Sequence, residues 1–393
     1  MKIGIIEICE KGHYMLSNAL IKTYLSDPAN TVHVFTIPEA KKLIEEQGNT
    51  DSRITYILME NDHDVLGFLN SSSNYQLDRI HLTTVAKYFK AFYQFKPNCK
   101  LYFHFHNIEL WFVSAFKIQV NRLWKVFSNF NSDVKIIRQL KYSAKDVLWD
   151  FYRKKFIRKI IHSDSVPVIL SEAQRFHLSK HMSMKNAVIF PTLIFEPDTH
   201  RDLSGNNTKL RICVPGSVTQ IRREYHKLLD VIETDIEYYK SKYSFDLLGF
   251  VPENEGMLLQ RIKELIIKGA DIIWYDHFIS VQKFDEELFK SDLILSNILL
   301  GDGNGVQSKE TAAVYHMIRG AKPGIFPESF QLDPEFEPSV IKFKDYQSLD
   351  QLFRKLAEDK DGIQTLKKAA QHLSKENSPA DLLKRLVEVS EAV

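Results

Sequence analysis

Asp302 and Glu310 stand eight positions apart in the glycine-rich segment Gly301-Asp302-Gly303-Asn304-Gly305-Val306-Gln307-Ser308-Lys309-Glu310. The apolar triplet Leu293-Ile294-Leu295 precedes it. A helical stretch from Thr311 follows, stopped by Gly320 and Pro323. Glycines at such a strand-to-helix handover leave free backbone N–H groups at a helix N-terminus, a setting that favours a phosphate. Carboxylates beside it accept hydrogen bonds from sugar or ribose hydroxyls. The chemistry fits a nucleotide or a nucleotide sugar. The same residues also read as a plain tight turn in which Glu310 complements the helix dipole.

A second group is made of histidines. Gly12-His13 follows the first strand-like run, and His104, His106 and Asn107 close another. An imidazole titrates near neutral pH and so suits proton abstraction from a hydroxyl. A lone histidine after a strand is more often a polar loop residue, and that reading also accounts for His13. Zinc is not expected, because no third ligand has recognisable spacing.

The elements that must hold these residues alternate strand and helix. Strands are expected at Ile3–Ile8, Thr31–Thr36, Arg53–Met59, Lys100–Phe105, Val166–Leu170 and Val188–Phe190, with helices at His13–Leu25 and Leu77–Phe95. Asn61–Tyr75 reads as a polar loop. Leu193–Thr208, broken by Pro197 and Gly205, reads as a linker. The pattern restarts with strands at Leu210–Val214, Phe245–Leu248, Asp271–Trp274, Asp292–Leu295, Gly324–Phe326 and Val340–Phe343, and a helix over Arg222–Ile236. Two helices end the chain, the last capped by Ser378 with Pro379 first.

Length agrees, since 393 residues exceed one typical core. The expectation is an α/β fold of two doubly wound Rossmann-like domains facing a central cleft. The N-terminal, acceptor-binding domain covers 1–195 and the nucleotide-sugar domain 209–375. A C-terminal helix, 376–393, packs back on the first domain. A formal net charge of +2 excludes a global nucleic-acid signature. Cys9, Cys99 and Cys213 are far apart and read as buried thiols of a reducing, cytoplasmic compartment. No apolar run reaches the ~20 residues of a membrane span, and the N-terminus reads as a strand rather than a signal peptide.

Four segments resemble the large retaining family of GT-B-fold glycosyltransferases that includes sucrose synthases. They are Val214-Pro215-Gly216-Ser217 with Arg222-Arg223; Phe245-Asp246-Leu247-Leu248-Gly249; His277-Phe278-Ile279 through Ser296; and the opening glycine segment. The family carries two glutamates where this chain has Asp302 and Glu310. The resemblance implies that Glu310 holds the ribose and that Asp302 lies near the transferred sugar. Arg222 or Arg223 would neutralise the leaving diphosphate. Gly216, Phe278, Gly303, Gly305 and Val306 would complete the donor site. Two arginines at a helix start oppose its dipole, which also points to a ligand. Inverting GT-B enzymes often place a base in a Gly-His pair, so the catalytic set implied is Asp302, Arg222 and His13. Gly12, His104, His106 and Asn107 would bind acceptor or sugar.

From Lys117 to Lys159 there are 12 Lys/Arg against 3 acids, interleaved with aromatics. Residues 111–159 are therefore expected to meet an anionic membrane surface, unless the aromatics simply pack on the sheet. The function implied is transfer of a sugar from a nucleotide-diphosphate sugar to a saccharide or lipid-linked acceptor, with retention, in bacterial-type polysaccharide or glycolipid synthesis. No cofactor or metal is expected. An inverting transferase with His13 as base, and a non-catalytic nucleotide-binding subunit, are the alternatives.

Overall fold

The computed structural model describes residues 1–8, 14–59, 63–85, 88–106, 112, 134–161, 163–204, 208–220, 223–298 and 311–391. It divides into two compact units. Unit 1 is Met1–Phe190 with Leu383–Val393, and unit 2 is Pro191–Leu382.

Unit 1 is built on a seven-stranded sheet in the order β3-β2-β1-β4-β5-β6-β7. Its strands are β1 (Lys2–Glu7), β2 (Thr31–Thr36), β3 (Ile54–Leu58), β4 (Arg79–Leu82), β5 (Lys100–His104), β6 (Val166–Ile169) and β7 (Val188–Ile189). Unit 2 carries six strands in the order β10-β9-β8-β11-β12-β13. These are β8 (Leu210–Cys213), β9 (Tyr243–Phe250), β10 (Ile272–Tyr275), β11 (Leu293–Leu295), β12 (Gly324–Pro327) and β13 (Val340–Phe343). All pairings in both sheets are parallel. Helices bury both faces of such sheets, which is why the central strands read as apolar runs. These are two Rossmann-like α/β domains. The strand order reverses between β1 and β4, and again between β8 and β11. Ligands of doubly wound sheets bind beyond the strand C-termini at such points.

Aromatic side chains dominate both cores. In unit 1, Phe89, Phe92, Phe95, Phe103, Phe105 and Phe156 are all buried. In unit 2, Tyr239, Tyr243, Phe245 and Phe353 pack together, and the Tyr243 hydroxyl donates to the Phe353 carbonyl. Several helix starts take a side-chain cap, among them Ser171, Ser280 and Asp345. Ser378 accepts from the Asp381 N–H ahead of the last helix, Pro379–Glu391.

Three expectations need correction. The span expected as one helix, Leu77–Phe95, holds the strand β4 and only a short helix, Phe89–Gln94. β4 is paired on both sides, to β1 and β5. Its Arg79 and His81 look solvent-facing in sequence but are buried, so the two-residue alternation was hidden. The expected loop Asn61–Tyr75 contains a helix, Val65–Asn70, started by Asp64, whose carboxylate accepts from the Gly67 N–H. The helix expected over Arg222–Ile236 runs Tyr225–Thr234. It breaks at Asp235, which caps a new helix, Ile236–Lys242.

Among the described residues no helix is long and apolar enough to cross a membrane. In the helix Val134–Ile161, much of the late basic charge is engaged within unit 1. Arg153 and Lys154 pair with Asp150. Lys155 lies over the Phe151 ring, and Lys159 donates to the carbonyls that end the helix Phe89–Gln94. Leu148 and Phe151 remain exposed.

Candidate functional site in unit 2

The site begins with a turn that only glycine tolerates. After β8 the chain continues along β9. The Val214 N–H donates to Asp246 O, Gly216 N–H to Leu248 O and Val218 N–H to Phe250 O. Gly216 has φ +103°, and a Cβ on it would stand 2.4 Å from Arg223 Nη2. A Cβ on Gly249 would stand 2.2 Å from the Gly216 carbonyl oxygen. The two glycines let the turn, the neighbouring strand and a guanidinium occupy one small volume.

Arg223 is fixed from its backbone outward. It forms an antiparallel bridge with Ile298, just past β11, and the next residue donates from Glu224 N to Asn297 O. Asn297 is itself held by the Tyr346 hydroxyl at 2.7 Å. Arg211, Arg261, Arg319 and Arg354 of unit 2 each hold carboxylates. Arg223 has no carboxylate within 4.0 Å among the described residues. Its neighbours are neutral. Tyr225 is buried next to it, and burial raises its phenol. His316, on the helix Ala312–Gly320, is pushed down to about 3, first by burial and then by the charges of Arg319 and Arg223. His316 packs on the Phe284 ring, and its buried Nδ1 has no partner among the described residues.

Phe278 is 82% exposed and packs on Phe250 with ring centroids 4.2 Å apart. Phe250 receives the Val218 N–H, so this aromatic pair and the Gly216 turn share the same end of β9. A positioned cation at a positive-φ glycine turn and an exposed ring suit an anion attached to a flat base.

The structure therefore brings Gly216, Arg223 and Gly249 into contact, with Phe278 at the same strand end. His104 and His106 lie in unit 1. Arg222, Asp302, Gly303, Gly305, Val306 and Glu310, with Gly12, His13 and Asn107, lie outside the described residues. Tyr225, Asn297, His316 and Tyr346 were not anticipated. Only the helical spacing after Glu310 hinted that His316 faces inward. Among the described residues no group of three His, Cys, Asp or Glu could hold a metal ion.

The fold is that of GT-B glycosyltransferases and of nucleotide-sugar epimerases built on the same two domains. HepE (Alr3699) from Anabaena, solved with UDP, shares it with TM-score 0.65 at 12% identity over 100% of both chains. HepE has also been solved with UDP-glucose, and with UDP and glucose. A glycosyltransferase from Rickettsia africae ESF-5 matches with TM-score 0.62 at 13% identity, over 100% of this chain and 98% of that one. A UDP-GlcNAc 2-epimerase from Neisseria meningitidis, bound to UDP-GlcNAc, matches with TM-score 0.50 at 11% identity over 100% of both chains. No family model and no curated protein matches the chain by sequence. At such identities the likeness establishes the fold alone.

Proposed function

We propose that this chain is a glycosyltransferase that uses a uridine-diphosphate sugar and a saccharide or lipid-linked acceptor. The observation that carries the reading is the Arg223 guanidinium, held against the Gly216 turn beside neutral Tyr225 and His316. Cleavage of the sugar–phosphate bond leaves negative charge on the diphosphate. A positioned guanidinium stabilises that charge without reorganising, so no metal is needed. Phe278 on Phe250 would stack the base. Glu310 would take the ribose hydroxyls, Asp302 would lie at the sugar, and Arg222 would assist Arg223. UDP in HepE, and UDP-glucose in the same protein, support a uridine donor on this fold.

Retention is the outcome we favour, since the acids of the donor segment resemble the retaining family. His13 would then orient hydroxyls rather than act as base. Exposed Leu148 and Phe151 beside Lys154 and Lys155 support contact with an anionic membrane, as a lipid-linked acceptor would require. A second reading, epimerisation of a UDP-sugar, is favoured by the epimerase structures that share the fold.

A thermal-shift screen of nucleoside diphosphates and their sugars tests the donor assignment, because a ligand of the folded state raises its melting point. UDP and a UDP-sugar should stabilise the protein. If no uridine nucleotide does so, the reading fails. NMR of the product then separates transfer from epimerisation and reports the anomer.

A further inference from the structure

A chain of buried polar contacts crosses one face of the unit 1 sheet. The Tyr24 hydroxyl lies 2.6 Å from His81 Nε2, and His81 Nδ1 lies 3.0 Å from His104 Nε2. All three residues are at least 97% buried. His104 Nδ1 has no partner among the described residues. His106 follows on the same side, with its ring nearly parallel to that of His104. Its Nε2 donates to Thr83 O at 2.7 Å.

The directions of these bonds can be worked out. Both His81 and His104 are held well below the usual imidazole range by burial, reinforced by Arg79 for His81 and by the neighbouring histidines for His104. Each is therefore neutral and carries one ring proton. Arg79, donor only, sits against the Tyr24 oxygen and over the Tyr102 ring. Tyr24 must then spend its proton on His81 Nε2. His81 keeps its own proton at Nδ1 and donates it to His104 Nε2. That leaves the proton of His104 at Nδ1, at the C-terminal end of β5, without an acceptor. Imidazole tautomers are set in this way by the bond the other nitrogen makes.

We propose that Tyr24 and His81 form a tautomer relay that holds His104 as a neutral Nδ1–H donor for a saccharide oxygen of the substrate, with Tyr24 and His81 as positioning residues. This rests on the glycosyl-transfer reading for the nature of the substrate, but not for the tautomer. A buried N–H with no acceptor favours any oxygen brought to it. Being neutral, it recognises a hydroxyl or ring oxygen without drawing in the diphosphate.

The test is a long-range proton–nitrogen correlation spectrum of the full chain labelled at histidine nitrogens, at neutral pH. Wild type should show His104 protonated at Nδ1 and bare at Nε2. In Tyr24→Phe, His81 Nε2 loses its hydrogen-bond donor, and both rings should show mixed tautomers. His104 protonated at Nε2 in wild type overturns the relay, as do unchanged tautomers in Tyr24→Phe. Turnover of UDP-glucose gives the second readout. Tyr24→Phe should lower kcat about tenfold, the size of one lost hydrogen bond, with UDP affinity unchanged. Wild-type turnover with altered tautomers overturns the positioning role. If the wild type neither binds nor turns over any UDP-sugar, the functional reading fails and so does the saccharide assignment, whereas the tautomer measurement still decides the relay.

Discussion

The strand ends of the two sheets are furnished with opposite chemistry. In unit 1, Tyr24, His81 and His104, at and near the ends of β4 and β5, are neutral and linked by hydrogen bonds, and His106 stacks on His104. In unit 2 the corresponding place holds a full charge, Arg223, whose surroundings have been kept neutral. A neutral donor reads hydroxyls, which carry no net charge. A cation with no internal carboxylate reads an anion. Under the proposed function, the diphosphate would belong to unit 2 and sugar oxygens to unit 1. It also means that the two units respond differently to pH, to mutation and to salt.

The largest expected effect is on acid stability. The folded-state values of His81, His104 and His316 all lie below the unfolded value of about 6.5. Their stabilising contribution is fully present above that pH and is lost as pH falls from there toward the folded values. The loss approaches ~1.4 kcal/mol per pH unit for each such histidine. Unit 1 carries two of them and unit 2 one; His33 and His200, each shifted down, balance across the units. Calorimetry between pH 7 and 5 should show the unit 1 transition falling more steeply. Parallel decline of both transitions would erase this half of the comparison.

Next in size is Arg223→Ala. UDP affinity should fall by ~1.5–3 kcal/mol, the worth of a charged hydrogen bond, while the melting point of the unliganded protein stays near wild type. His104→Gln should leave UDP affinity unaltered. Titration calorimetry on both variants checks the division of labour, and equal losses would mean that the anion is shared.

A smaller contrast lies in two glycines. Gly48 of unit 1 has φ +84° and open space around its missing Cβ, whereas Gly216 has φ +103° and Arg223 in the way. Gly48→Ala should cost only backbone strain, about 1–2 kcal/mol. Gly216→Ala should cost that and also displace the guanidinium, weakening UDP binding. Unchanged UDP affinity in Gly216→Ala would show that the turn does not position Arg223.

The smallest effect expected is membrane association. Much of the basic charge at Arg153–Lys159 is engaged internally, so binding to anionic vesicles should be weak and should vanish as salt rises. Binding to neutral vesicles as well would point to Leu148 and Phe151 acting by themselves.

Parallel strands buried on both faces announce themselves as apolar runs, so Ile3–Ile6 and Leu293–Leu295 were readable, and with them the repeated α/β pattern. β4 was not, because Arg79 and His81 spend their polarity inside the protein. The Gly216 turn and Arg223 could be found from their resemblance to a known segment. The relay had no such signal: Tyr24 and His81 are 57 positions apart, and only the fold makes them neighbours. His316 is similar, since its neutrality depends on burial and on two arginines that meet it in space.

The last helix has a consequence for biosynthesis. Its residues from Leu383 onward belong to unit 1, where Arg79 and Tyr102 both donate to the Leu386 carbonyl. Unit 2 lies wholly between the two pieces of unit 1 in the chain. On the ribosome, the unit made first is thus completed last. Its sheet emerges without the Leu386 carbonyl that Arg79 and Tyr102 donate to, while the whole of Pro191–Leu382 is translated and free to fold as a unit. Emergence of the segment from Leu383 onward, rather than emergence of the first domain, is the event that closes the unit 1 fold.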